Sequence, residues 1–424
     1  MRGRLRRLSL TALAALGVAA RLLAQHEHEA PPEPVNPDPM AAMEAMEPMD
    51  HWMTMIHGYA FLNANRQDGP SGDREFDSQN HFMLMAIKSA WGGKLSLLGT
   101  FSLEPATIPP RGSSELFQRG ETYHGVLLVD LQHPHDLFVQ LAVAWERQVA
   151  ASTKIRLYLA PVGEPAIGPP AYPHRLSASE NPTAPLSHHN QDSTHIAADV
   201  ITLSFSAPLA TLEGSAFHGE EPDENRWDID QGKIDSYSGR LTLRPARGLS
   251  IQVSSGHLEH PEAIEPGNQT RSTASLIYER ALPGGFVAAT LATGRNQTPD
   301  GPEWGSLLEF TWKFAGANFL YGRLESVDRD EYELVHKMQR PEDVPPRRIQ
   351  VQAATLGFVR NMSWLEKVET GLGLDFTGYR FPARLDAVYG SHPISVHGFL
   401  RIRFGTHGEG MGESEHAGHA HGER

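Results

Sequence analysis

Between residues 53 and 404 apolar and polar positions alternate with a period of two, in segments of about ten residues. In the last segment Val396, Gly398, Leu400, Ile402 and Phe404 share one face, while Ser395, His397, Phe399, Arg401 and Arg403 share the other. Leu308, Phe310, Trp312 and Phe314 form such a face elsewhere, as do Val368, Thr370, Leu372, Leu374 and Phe376, and Leu137, Val139, Leu141, Val143 and Trp145. The connections between segments also alternate. Short turns fall at 91–93, 148–152, 207–208, 245–247, 282–284, 315–316 and 361–364, and long loops at 65–78, 105–135, 161–195, 220–233, 259–271, 297–303, 329–348 and 377–392. Eight long and seven short connections separate sixteen strands, an even number. A soluble sandwich has no reason to keep all its short turns at one end. The pattern predicts an all-β fold: a single transmembrane antiparallel β-barrel with short periplasmic turns and long extracellular loops.

The N-terminus fits that destination. Arg2, Arg4, Arg6 and Arg7 precede an apolar stretch, Leu8 to Ala20, and Leu22-Leu23-Ala24 resembles a cleavage site before Gln25. The expected organisation is a signal peptide at 1–24, a Met/His-rich periplasmic extension at 25–52, the barrel at 53–404 and a His-rich tail at 405–424. No other run reaches the roughly 18 apolar residues of a spanning helix. Mean hydropathy is -0.38. A barrel tolerates that value because only every second strand residue meets lipid. The opposite faces would send Arg156, Arg240, Arg244, Glu309, Lys313, Asp375, Arg401 and Arg403 into the lumen. Trp91, Trp145, Trp312, Trp364 and Phe404 all fall at short-turn ends, as an aromatic girdle requires.

Composition narrows the chemistry. The chain has no cysteine, which removes disulfides, thiolate metal sites and cysteine nucleophiles together. Its formal charge is -14, and loss of residues 1–24 would remove five arginines and no acid. So acidic a chain does not bind nucleic acid through its overall field; it gathers cations or simply keeps its loops solvated. Lipid and small ions or solutes are the expected partners.

Three groups of residues can bind metal. Met40, Met43, Met46 and Met49 are spaced by three and followed by His51, Met53, Met55 and His57. Thioether sulfur is a soft ligand suited to Cu(I), and imidazole takes Cu(II) as well. The tail carries His416, His419 and His421. With an even strand count, both tails emerge on one side and can serve one pool of ions. The third group is His133, His135 and Asp136 after one long loop, with His174, His188, His189, Asp192 and His195 in another. Residues 189, 192 and 195 share a face on one helical turn and can coordinate a metal. Both loops are long and Pro- and His-rich, and the expectation is that they fold inward or over the mouth and meet. The plain alternatives are spacers in the tails and packing histidines at the rim.

Four segments carry a resemblance: His57 to Asn63, Gln79 to Met85, Gln132 to Phe138, and Tyr172 to His195. Across 54–404 the chain resembles a family of bacterial outer-membrane barrels whose members occur alongside copper and heavy-metal resistance systems. Its Met/His-rich tails resemble the corresponding segment of the copper-resistance B outer-membrane proteins. The resemblance implies a porin-like channel or transporter linked to copper or other transition-metal ions, with periplasmic metal-resistance proteins as partners and no required cofactor. A metal-binding or surface-display barrel that does not transport is the alternative. A hydrolase is a second one, resting on Ser193 near Asp192 and His195; three such close positions on one loop do not make a triad, and no enzyme is expected.

Overall fold

The computed structural model describes residues 46–262, 267–365 and 367–407. The proposed signal peptide, Met40, Met43 and the tail histidines His416, His419 and His421 lie outside the described residues. The strands run β1 (Met53–Gln67), β2 (Arg74–Ala90), β3 (Gly93–Phe101), β4 (Ser113–Tyr123), β5 (Val126–Gln132), β6 (Phe138–Ala150), β7 (Thr153–Gly163), β8 (Ala197–Ala207) and β9 (Ala210–His218). They continue as β10 (Ser236–Ala246), β11 (Leu249–Leu258), β12 (Gln269–Leu282), β13 (Gly285–Thr298), β14 (Gly301–Phe314), β15 (Asn318–Asp330), β16 (Arg348–Leu365), β17 (Val368–Arg380) and β18 (Ile394–His407). All except β4 and β5 form one closed antiparallel barrel of sixteen strands. It closes by pairing β1 with β18, Gly58 opposite Phe404 and Leu62 opposite Leu400, so the barrel has no open strand edge. No helix among the described residues is long and apolar enough to cross a membrane.

The alternation sorts side chains as the sequence predicts. Leu308, Trp312, Leu372, Leu374 and Phe376 are exposed on the outer face, while Glu309, Asp375 and Arg401 are buried inside. Outward apolar side chains recur from Leu84 through Phe205 and Leu324 to Phe358. A water-soluble protein rarely leaves so extended an apolar surface uncovered. Trp91, Trp312 and Trp364 are exposed near the short-turn end, and both the first and last barrel strands have their free ends there, Met55 opposite His407.

Three expectations need correction. The connection at 297–303 is not a long loop: β13 and β14 pair through Thr298 and Gly301, leaving only Pro299 and Asp300 between them. Gly301, at φ 105°, makes that tight reversal possible. The last short turn follows Leu365 rather than starting at 361, because a register shift between Met362 and Leu365 lengthens β16. Val139 does not share the exposure of Val143. Pairing of β6 shifts on both sides of it, and Val139 is buried with Val162 and Ile196.

The loop after β3 is not irregular throughout. It contains the β4–β5 hairpin, whose Leu116 and Phe117 are fully buried against the outer loops, with the Phe117 ring 4.2 Å from that of Tyr389. The loop at 164–196 folds into the barrel, and Pro170 is its single exposed residue.

Candidate metal-binding site in the lumen

The loop 164–196 forms a plug because its sequence offers little else. Six prolines remove backbone donors and fix φ, so neither a long helix nor a ladder strand can form. What remains is a set of short turns: Tyr172–His174, Leu176–Ala178, His188–Gln191 and Ser193–Ile196. Buried polar groups in such a segment need partners from the wall. Arg323 donates to the carbonyl of Thr183 at 3.1 Å, Arg329 to that of Leu186 at 2.6 Å, and Arg401 is ion-paired with Glu180. The His188–Gln191 turn packs on β12, β13 and β14. It approaches so closely that a Cβ at Gly294 would sit 1.8 Å from the carbonyl oxygen of Asn190.

In and around this plug seven imidazoles follow one another, four on the loop itself, His81 on β2, and His133 and His135 after β5. Ring centres are separated by 6.1 Å from His174 to His81, 5.4 Å to His135, 5.3 Å to His195, 5.1 Å to His188, 5.5 Å to His189 and 5.8 Å to His133. The two predicted loops therefore meet inside the barrel. Several rings are oriented by acceptors on one side. His135 Nδ1 lies 2.8 Å from Glu104, His188 Nδ1 lies 2.7 Å from Asp192, and His195 Nδ1 lies 2.9 Å from the Asp192 carbonyl oxygen. The Nε2 atoms of His135 and His195 and both nitrogens of His81 are buried without a hydrogen-bond partner. An imidazole held through Nδ1 by a carboxylate or carbonyl, with Nε2 free, is the arrangement in which histidine ligates metals.

Burial pushes the His174 and His188 imidazoles down to about 4 and that of His195 well below its ordinary value. These rings are neutral near neutral pH, as metal ligation requires. His135 goes the other way: burial depresses it, but the Glu104 carboxylate and, beyond it, those of Glu121 and Asp136 together raise it. Asp192 would be raised by burial, yet Arg175 and His188 hold it well below the carboxylate range.

The predicted residues do not all play one part. His189 and His195 diverge, because the helical turn ends at Gln191 and the chain re-enters as a separate turn at Ser193. Asp192 stands between His188 and Arg175, 2.5 Å from the latter, so it orients a ring rather than offering a free ligand. Asp136 accepts from Arg226 at 3.1 Å, and His133 Nε2 faces Glu121 at 3.0 Å. His174 faces the open lumen, lining a cavity of about 60 Å³ with His57, Met83 and Glu104 and a larger one of about 390 Å³ toward β6–β12. Met46 packs against an apolar cluster containing Met55, Met83 and Met85, and Met49 is exposed. Ser193 donates no triad bond: its hydroxyl accepts from Arg271 at 2.8 Å, while His195 turns to Asp192. Glu104 escaped the sequence reading, and His81, within the Gln79–Met85 segment, was not counted among the candidate ligands. His81 falls on the inward face of β2 with Asp77, Gln79 and Met83, a signal the alternation carries.

No protein-family model matches the sequence, and no curated protein matches it. Among solved structures, the chain is similar to the anion-selective porin from Comamonas acidovorans, at 9% identity and TM-score 0.52, over 84% of this chain and 100% of that one. It is also similar to OprB of Pseudomonas putida, at 10% identity and TM-score 0.51, over 84% of this chain and 94% of that one. The fold is porin-like. At this identity the likeness concerns the architecture, a closed sixteen-stranded antiparallel barrel with long loops at one end.

Proposed function

We propose that this protein is a porin-like channel of the bacterial outer membrane whose lumen plug binds transition-metal cations, copper among them. Its short turns face the periplasm and its long loops face outside. The observation that carries the metal reading is the run of buried histidines, in which His135, His188 and His195 are each held through Nδ1. Unpartnered buried nitrogens are costly unless something occupies them, and imidazole suits Cu(II), Zn(II) and Ni(II). The lumen carries both signs of charge, which suits passage of ions and small solutes. In this reading the Met/His-rich segments at 25–52 and 405–424 act as periplasmic capture segments for the same ions, and periplasmic metal-resistance proteins are their partners. The reading involves no catalysis.

A second reading is favoured by the nearly complete burial of the loop 164–196: a metal-holding barrel that does not conduct. Equilibrium dialysis of the chelator-treated protein with Cu(II) and Zn(II) tests the site. The expected result is that a His135→Ala/His188→Ala/His195→Ala variant binds at least one equivalent fewer than the parent. Equal binding by both proteins overturns the proposal.

A further inference from the structure

Next to its His133 end, the histidine run passes two carboxylates that nothing above uses. His189 faces Glu221 and Glu262, from the segments at 219–235 and 259–262. Its Nδ1 lies 3.4 Å from Glu262 and 3.7 Å from Glu221. One ligand atom from each of the three residues lies within 4.8 Å of the others. These separations exceed a well-formed hydrogen bond. They are close to the spacing between donors that share an ion at bond lengths of about 2.0–2.2 Å. Neither ring nitrogen of His189 and neither carboxylate oxygen of Glu221 has a hydrogen-bond partner, although the side chains of all three residues are only 8–10% exposed.

The surroundings are shaped for this ring. Gly120, at φ +144°, flanks it, and a Cβ there would lie 2.2 Å from His189 Nε2. Arg271 acts on both carboxylates as a counter-charge, but its bonds go elsewhere, to Asn296 at 3.0 Å and Ser193 at 2.8 Å. Two carboxylates and an imidazole, each largely buried, therefore face one another at ion-pair distances, longer than well-formed hydrogen bonds.

We propose that His189, Glu221 and Glu262 bind a divalent cation of the zinc or manganese class and so tie the plug to the two loops above it. One imidazole with two carboxylates suits Zn(II) and Mn(II), whereas Cu(I) selects thioether and thiolate. Three protein ligands leave a further position for water. The ion would join three segments that are distant in sequence, and its release would free the plug from the loops at the mouth. This site does not depend on whether the barrel conducts or on the ligation at His135, His188 and His195.

The test uses the purified full-length protein, stripped with chelator and titrated with Mn(II) alone, with bound ion read by electron paramagnetic resonance. Mn(II) favours carboxylate over all-imidazole sites and so reports this site in preference to the histidine run. One bound equivalent is expected, weakened at least tenfold in the Glu221→Gln/Glu262→Gln variant and retained in the His135→Ala/His195→Ala variant. A parent protein that binds no Mn(II), or a double Gln variant that binds it as tightly, overturns the proposal. Should the double variant fail to assemble, Glu221→Gln alone serves, since the Glu221 carboxylate makes no hydrogen bond and the amide keeps its shape; unchanged affinity there overturns the proposal equally.

Discussion

Arg175 of the inward loop lies 2.7 Å from Glu309 of β14, and both side chains are 1% exposed. Glu309 also takes Arg323 at 3.2 Å and the hydroxyl of Ser177 at 2.9 Å, so one wall carboxylate holds the plug at two points. Removing one partner of such a buried pair leaves an uncompensated charge, at a cost of about 3–5 kcal/mol. Glu309→Gln should therefore loosen the plug while leaving the barrel assembled. Hydrogen exchange across 172–192 should accelerate, and strand exchange should not.

Gly294 offers a test through shape instead of charge. It pairs with Gly305 and Thr273 in the ladder, and the plug's Asn190 carbonyl and Gln191 side chain crowd it. Gly294→Val should displace the His188–Gln191 turn, with an overpacking cost of about 1–3 kcal/mol. Metal affinity at the histidine run should fall in parallel, since His188 rides on that turn.

Two rings beside His195 should titrate on opposite sides of the free imidazole value of about 6.5. His188, depressed to about 4, stays neutral as the pH falls; His135, raised beside Glu104, stays protonated as the pH rises. The linkage signs differ accordingly. His188 contributes stability that is full above about 6.5 and is lost as pH falls toward about 4. His135 contributes stability that is full below about 6.5 and is lost as pH rises through its folded value. Ring-proton NMR on metal-free protein, assigned with the two alanine variants, checks both. Finding the two histidines titrating together near the free value would refute the picture of one buried and one carboxylate-paired ring.

The barrel was legible in the sequence because its rule is local. Alternation along each strand decides which side chains meet the lumen, and Glu309, Asp375 and Arg401 follow it. The rule failed where local signals are ambiguous. Pro299-Asp300-Gly301 reads as loop but makes a tight turn, and at Val139 the register shifts interrupt the period. The meeting of His133 and His135 with His188, His189 and His195 was legible from loop length and composition. Their individual roles were not, since those depend on partners far away in sequence. Glu104 orients His135 across 31 residues, and Glu221 and Glu262 reach His189 from two other loops. The spacing of 189, 192 and 195 pointed to one helical face, and the break after Gln191 undid it.

The most direct measurement is the conductance of the purified barrel in a planar bilayer, before and after addition of Cu(II) and again after chelation. The account predicts a small conductance for its width, a reversible change on adding Cu(II), and loss of that response in the His135→Ala/His188→Ala/His195→Ala variant. A large, ohmic conductance that is indifferent to Cu(II) in both proteins would contradict it.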